Sequence, residues 1–183
     1  MIVSIVGYAK SGKTAFAEHL IREAASRAIP VAAIKTGRCS HDGAEHPHRG
    51  GLAGRDSDRL RSAGAALSLF WSEQGWEVIG TLDAVYPTPL PDRDTFYRCW
   101  RSLLPVAVRR ILDDTPLLII EGRPVAGAEV VQMRKRSVPE AEALKYAIAP
   151  NHRIVAGPRD FSRPIAALLS SLRHGECLNA GTT

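Results

Sequence analysis

Ile2-Val3-Ser4-Ile5-Val6-Gly7-Tyr8-Ala9-Lys10-Ser11-Gly12-Lys13-Thr14 is the stretch whose reading decides the fold. Its first five residues form a mostly β-branched run ended by glycine, the form of a fully buried strand. The next eight match G-x-x-x-x-G-K-[ST], the Walker A pattern. Each part of that pattern has a physical reason. Successive backbone N–H groups of such a loop point inward at phosphate oxygens, and glycine permits both positive φ and close approach. Lys13 is placed to bridge β- and γ-phosphates, and Thr14 to ligate Mg²⁺. The helix starting near Lys13 adds the positive end of its dipole. Gly7, Tyr8, Ala9, Lys10, Ser11, Gly12, Lys13 and Thr14 are therefore the candidate nucleotide-binding residues. The motif speaks for a nucleoside triphosphate but not for a base or a reaction.

Working outward, Phe16, Ala17, Leu20, Ile21 and Ala24 recur at spacings of three and four, which predicts a helix from Lys13. Val31 to Lys35 is a second apolar run after Pro30. Strand, helix, strand predicts a βαβ unit with parallel strands and a right-handed crossover. Residues 37–54 are rich in glycine and histidine and read as a mobile loop, while 56–64 read as a short helix stopped by Gly64. Ala65 to Trp71 and Trp76 to Leu82 read as strands, and the proline-rich 83–92 as a surface loop. The apolar stripe from Phe96 to Ile111 is helical, with Pro105 expected to kink or split it. Leu117 to Ile120 is a further buried strand, Glu129 to Met133 and Arg153 to Ala156 are short strands, and Ile165 to Leu172 is a terminal helix. The expected architecture is α/β, a P-loop NTPase-like, mostly parallel sheet with helices on both faces. Residues 1–183 are read as one nucleotide-binding domain whose tail frays from about Gly175.

A Walker A loop needs a second acidic group near the metal, at the end of another buried parallel strand. Glu121, after Leu117 to Ile120, is the candidate for that contact, direct or through water. Asp113 and Asp114 stand at the wrong end of the strand and read as capping or solvated residues; Asp56 is a rival metal partner. The Asn-Lys-x-Asp signature for guanine is absent, as is an Asp-x-x-Gly switch.

With 183 residues, 45% hydrophobic and 23% charged, the chain can bury a core without disulfides. Cys39, Cys99 and Cys177 are odd in number and widely spaced, which fits a reducing cytoplasm better than a secreted framework. The short first apolar run has no basic leader and no long apolar segment follows, so neither secretion nor membrane spanning is expected. Net charge is +5, and basic ends flank an acidic middle, a pattern suited to an anionic ligand; without an aromatic-studded basic stripe, nucleic acid is not the expected partner.

Several separated segments together resemble the MobB family, molybdopterin-guanine dinucleotide biosynthesis protein B. Val6-Gly7-Tyr8-Ala9-Lys10-Ser11-Gly12-Lys13-Thr14 is similar to the family's loop, tyrosine included, and Ile34-Lys35 to its strand-end lysine. Gly54-Arg55-Asp56-Ser57-Asp58-Arg59 with Ala63-Gly64-Ala65 matches its Asp-Ser-x-Arg stretch, and Glu121-Gly122 half of its Glu-Gly-Phe-Lys segment. Arg123-Pro124 replaces the aromatic and basic pair, and Thr36 to His41 replaces a histidine cluster. The resemblance implies a GTP-binding accessory protein of molybdenum cofactor biosynthesis, homodimeric, weakly hydrolytic at most, working with a molybdopterin guanylyltransferase. Lys35, Arg55, Asp56 and Arg59 become candidates for substrate contact or for a lid.

Two other classes stay open: an ATP-dependent small-molecule kinase whose lid is the arginine-rich 38–61 segment, and a non-hydrolysing, nucleotide-gated binding module. Cys39, His41, His46 and His48 fit no rigid zinc spacing and read as solvated loop residues. Arg134-Lys135-Arg136 reads as solvated surface, Trp71, Trp76 and Trp100 as core, and Tyr8 as packing over the loop.

Overall fold

In a computed structural model the chain is described over residues 1–37, 53–73, 75–79, 84–86, 88–135, 152–156 and 161–179, side chains excepted at 53–57, 79, 84–86, 152–156 and 173–179. The strands are β1 (Ile2–Gly7), β2 (Val31–Thr36), β3 (Leu67–Ser72), β4 (Gly75–Ile79), β5 (Ala84–Tyr86), β6 (Leu117–Glu121), β7 (Glu129–Arg134) and β8 (His152–Ala156). They form one sheet in the order β5-β4-β3-β2-β6-β1-β7-β8. From β3 to β8 every pairing is parallel. β4 and β5 extend the β3 edge as antiparallel hairpins. The mostly parallel α/β sheet expected from the sequence is thus present, and β6 lies between the two strands of the first βαβ unit.

The helices are α1 (Lys13–Ser26), α2 (Ala53–Ser62), α3 (Arg93–Cys99), α4 (Val106–Asp113) and α5 (Ser162–Asn179), with a 3₁₀ turn at Trp100–Leu103. Side-chain alternation along the parallel strands divides the core into two layers. Val3, Ile5, Val31, Ala33, Leu117, Ile119, Val131 and Met133 pack under α1, α2 and α5 through residues such as Phe16, Leu60 and Leu168. Ala32, Ile34, Leu118 and Ile120 face the other way, against Phe96, Trp100, Val108 and Leu112 of the α3–α4 layer. Helices therefore cover both faces, and this is why β2 and β6 read as continuous apolar runs.

Pro105 splits the apolar stripe as expected: it caps α4, and the preceding turn is 3₁₀. Trp71, Trp76 and Trp100 are buried, and Trp71 meets Phe96 edge-on at 5.5 Å. Asp114 caps the end of α4 and exposed Asp113 pairs with Arg101, away from the strand end that carries Glu121.

Three expectations need correction. The segment 83–92 is not all loop, because Ala84–Tyr86 pairs with β4. Its prolines start only at residue 87, and a three-residue edge strand is too short for alternation to show. Helix α2 begins at Ala53, so residues 53–54 belong to it rather than to the loop. Helix α5 runs to Asn179, past Gly175, since one glycine weakens a helical ladder without breaking it. The remainder of the 37–54 loop beyond Gly37, with Cys39, His41, His46 and His48, lies outside the described residues, as does the tail after Asn179.

Candidate functional site

The Walker A loop leaves the C-terminal end of β1, at the centre of the parallel sheet, and enters α1 at Lys13. Gly7 has φ of 139°, and a Cβ there would lie 2.3 Å from the Met133 carbonyl oxygen of β7. Only glycine lets the loop start this close to its neighbouring strand. Lys10 takes φ of 59° and Gly12 φ of 94°, which curls the segment back towards the helix. Ser11 donates its N–H to the Tyr8 carbonyl at 3.3 Å, closing the loop on itself.

Lys13 folds over this loop and donates to the carbonyls of Gly7 at 3.0 Å and Tyr8 at 2.8 Å. Its pKa is lowered, first by burial and then by the positive charges of Lys35 and Lys135, with Glu121 opposing. The ammonium is thus a partly desolvated cation held by neutral carbonyls, which anionic oxygens would replace favourably.

Register brings the rest together. Lys35 of β2 stands opposite Glu121 of β6, and Glu121 opposite Ile5 of β1. Thr14 donates its hydroxyl to Glu121 Oε1 at 2.8 Å. Lys35 Nζ lies 3.3 Å from Thr14 Oγ1 and 3.4 Å from Glu121 Oε1. The Glu121 side chain is 4% exposed and that of Lys35 14%, so the carboxylate is buried and its cation largely so. Glu121 Oε2 is buried with no hydrogen-bond partner among the described residues. Thr36 secures the strand end by donating to the Glu121 carbonyl at 3.1 Å. Gly122, at φ of 109°, passes so close that a Cβ would lie 2.5 Å from both Thr36 oxygens, the carbonyl O and Oγ1.

Of the sequence candidates, Lys13, Thr14, Lys35 and Glu121 meet at one point at the C-terminal ends of β1, β2 and β6, where ligands sit in open α/β sheets. A hydroxyl and an underused carboxylate are hard oxygen donors of the type that accept a divalent cation. Arg59 instead pairs with Glu18 of α1 at 2.6 Å. The side chains of Arg55 and Asp56 lie outside the described residues. No cluster of three or more His, Cys, Asp or Glu suited to a metal occurs among the described residues.

The sequence reading missed several neighbours. Lys135 is exposed, as expected of solvated surface, and because it follows β7 directly its charge also reaches Lys13. Arg93, Arg123 and Gln132 line a cleft against Gly7 and Tyr8. Their signal was positional: Arg93 starts α3, Arg123 stands just beyond β6 and Gln132 lies within β7 opposite Val6, a juxtaposition that only the strand order reveals.

The family model for molybdopterin guanine dinucleotide synthesis protein B matches residues 2–95, just over half of the chain. The chain belongs to the MobB family. Membership gives it a role in molybdenum cofactor biosynthesis. The match takes in the glycine loop, Lys35 and all of β1 to β5, whereas Glu121 lies beyond it. Solved structures to which the chain is similar include MobB of Bacillus subtilis, at 20% identity and a TM-score of 0.45, over 92% of this chain and 95% of that one. Another is a MobB protein homolog from Bacillus stearothermophilus, at 17% identity and a TM-score of 0.48, over 94% and 98%. No curated protein matches the chain. No helix among the described residues is long and apolar enough to cross a membrane.

Proposed function

We propose that this MobB family member binds a Mg²⁺–guanine nucleotide at Gly7 to Thr14 and serves as an accessory protein in making molybdopterin guanine dinucleotide. The observation that carries the reading is the convergence of Lys13, Thr14, Lys35 and Glu121 around one glycine-framed loop. Phosphate oxygens take the place of the Gly7 and Tyr8 carbonyls on Lys13, and the loop N–H groups supply the remaining donors. Thr14 and Glu121 are the residues that would hold Mg²⁺, which supplies charge neutralisation at the β- and γ-oxygens. The unpartnered Glu121 Oε2 fits that role, and so does the approach of the Lys35 ammonium to Thr14 Oγ1 and Glu121 Oε1, which marks the spot as one that attracts a cation. Lys35 remains beside the phosphates as a second fixed cation.

Guanine is favoured by the guanine dinucleotide that the family makes, and the resemblance implies a homodimer that works with a molybdopterin guanylyltransferase, with slow hydrolysis at most. The test is calorimetric titration of the purified protein with GTP and with ATP, each with Mg²⁺, at one salt concentration. A clear preference for GTP is expected. Preference for ATP would transfer the reading to a small-molecule kinase, and binding of neither would remove the nucleotide reading.

A further inference from the structure

The glycine loop has a second side. Met133 and Val131 of β7 face α1, so Gln132 between them faces the α3–α4 layer, as Val6 of β1 does by the same alternation. There, at the C-terminal ends of β1, β6 and β7, a cleft of about 390 Å³ opens against Gly7 and Tyr8. That volume suits a small molecule.

Its walls carry recognisable chemistry. Arg123 and Arg93 both line it. The Arg123 guanidinium is held in place, donating to the Pro91 carbonyl and stacking over the Phe96 ring at 5.7 Å. A guanidinium fixed in this way offers its remaining N–H groups in a set plane, the arrangement that suits phosphate or carboxylate oxygens. Burial, and then the Arg93 charge, lower the Arg123 pKa, while Asp92 and Glu73 oppose the shift. Asp92 is itself engaged in capping α3 through Asp94, Thr95 and the Thr95 hydroxyl. Tyr8 adds an aromatic surface that is 47% exposed, one of two large apolar side chains left open among the described residues. Gln132, 5% exposed, adds an amide to the same wall.

We propose that this cleft is a second small-molecule subsite, sharing Gly7 and Tyr8 with the start of the nucleotide loop but not Lys13, which takes the phosphate or carboxylate of a ring-bearing ligand between Arg93 and Arg123 with the ring against Tyr8. The proposal extends the nucleotide reading by adding a co-ligand, yet its own binding step does not require Lys13.

The experiment uses the full chain and calorimetric titration with phenyl phosphate, benzoate and inorganic pyrophosphate, on the wild type and on Arg93→Ala, Arg123→Gln and Lys13→Ala. Phenyl phosphate or benzoate should bind the wild type and Lys13→Ala alike, and whichever binds names the anionic group. Each arginine variant should weaken that binding by roughly tenfold or more, as expected for a lost charge-assisted contact. Arg93 is exposed, so its variant remains informative even if Arg123→Gln disturbs the Pro91 and Phe96 contacts. Absence of binding by both ring compounds, or binding abolished by Lys13→Ala and indifferent to Arg93→Ala, would overturn the proposal. Pyrophosphate, which lacks a ring, reports on the loop through Lys13→Ala: no loss of its binding in that variant counts against the nucleotide reading and leaves the cleft result standing.

Discussion

Replacing Lys35 by methionine tests whether the buried ion pair organises the site. Lys35 Nζ is 3.4 Å from Glu121 Oε1, and the two side chains are 14% and 4% exposed, so solvent screens the pair little. Methionine keeps most of the apolar stem but leaves the Glu121 carboxylate buried with one cation fewer. Removing one partner of a buried pair costs about 3 to 5 kcal/mol. Lys13 still acts on Glu121, and Thr14 still donates to it, so the expected loss is at the low end, about 3 kcal/mol. In a chain of this size each kcal/mol shifts Tm by about 2 to 4 °C, which predicts a fall of about 6 to 12 °C. Thermal denaturation followed by circular dichroism, without nucleotide or Mg²⁺, measures it. Adding Glu121→Gln to Lys35→Met should restore much of the loss, because the uncompensated charge is gone. A Lys35→Met protein that melts with the wild type, or a double variant no more stable than the single one, would refute the account.

Lys13→Ala should weaken GTP binding by roughly 10- to 100-fold, the value of a charge-assisted contact, and GMP binding far less; equal losses in calorimetry would contradict its assignment to β- and γ-oxygens. Because burial lowers the Lys13 pKa below its ordinary 10.5, triphosphate affinity should decline with rising pH before an ordinary lysine would lose its proton. The sign follows from the protonated form being the one that binds anions, and titrations between neutral and alkaline pH would show it. The same shift makes protonated Lys13 a cost to the free fold, relieved as pH rises through the lowered pKa. Gly122→Ala should destabilise by at least about 1 to 3 kcal/mol from its positive φ alone, with a clash against Thr36 added; chemical denaturation would reveal it. Glu121→Gln should reduce the Mg²⁺ dependence of triphosphate binding more than the metal-free affinity, seen by titrating with and without EDTA.

The glycine loop, the α1 stripe and the buried runs of β1, β2 and β6 were legible in the sequence because their causes are local. Walker A spacing, a period of three to four and a β-branched run are each written within a few consecutive residues. Glu121 was found for a related reason, standing at the only strand end of the right form. The pairing of Lys35 with Glu121 and Thr14 was not legible, since it arises from parallel register between β2 and β6, 86 positions apart in sequence. Edge strand β5 escaped notice because three residues carry no period, and pairing with β4 makes it a strand. Arg93 and Arg123, on a helix start and after a strand, came to one cleft only once the sheet order set α3 beside the end of β6. By itself the sequence determined that this chain makes a glycine-framed loop of Walker A form on a buried parallel strand, because such a loop is built from its own backbone. Which charges surround that loop was decided by the tertiary structure, because contacts between distant residues depend on strand order and register, and neither is written in any one segment.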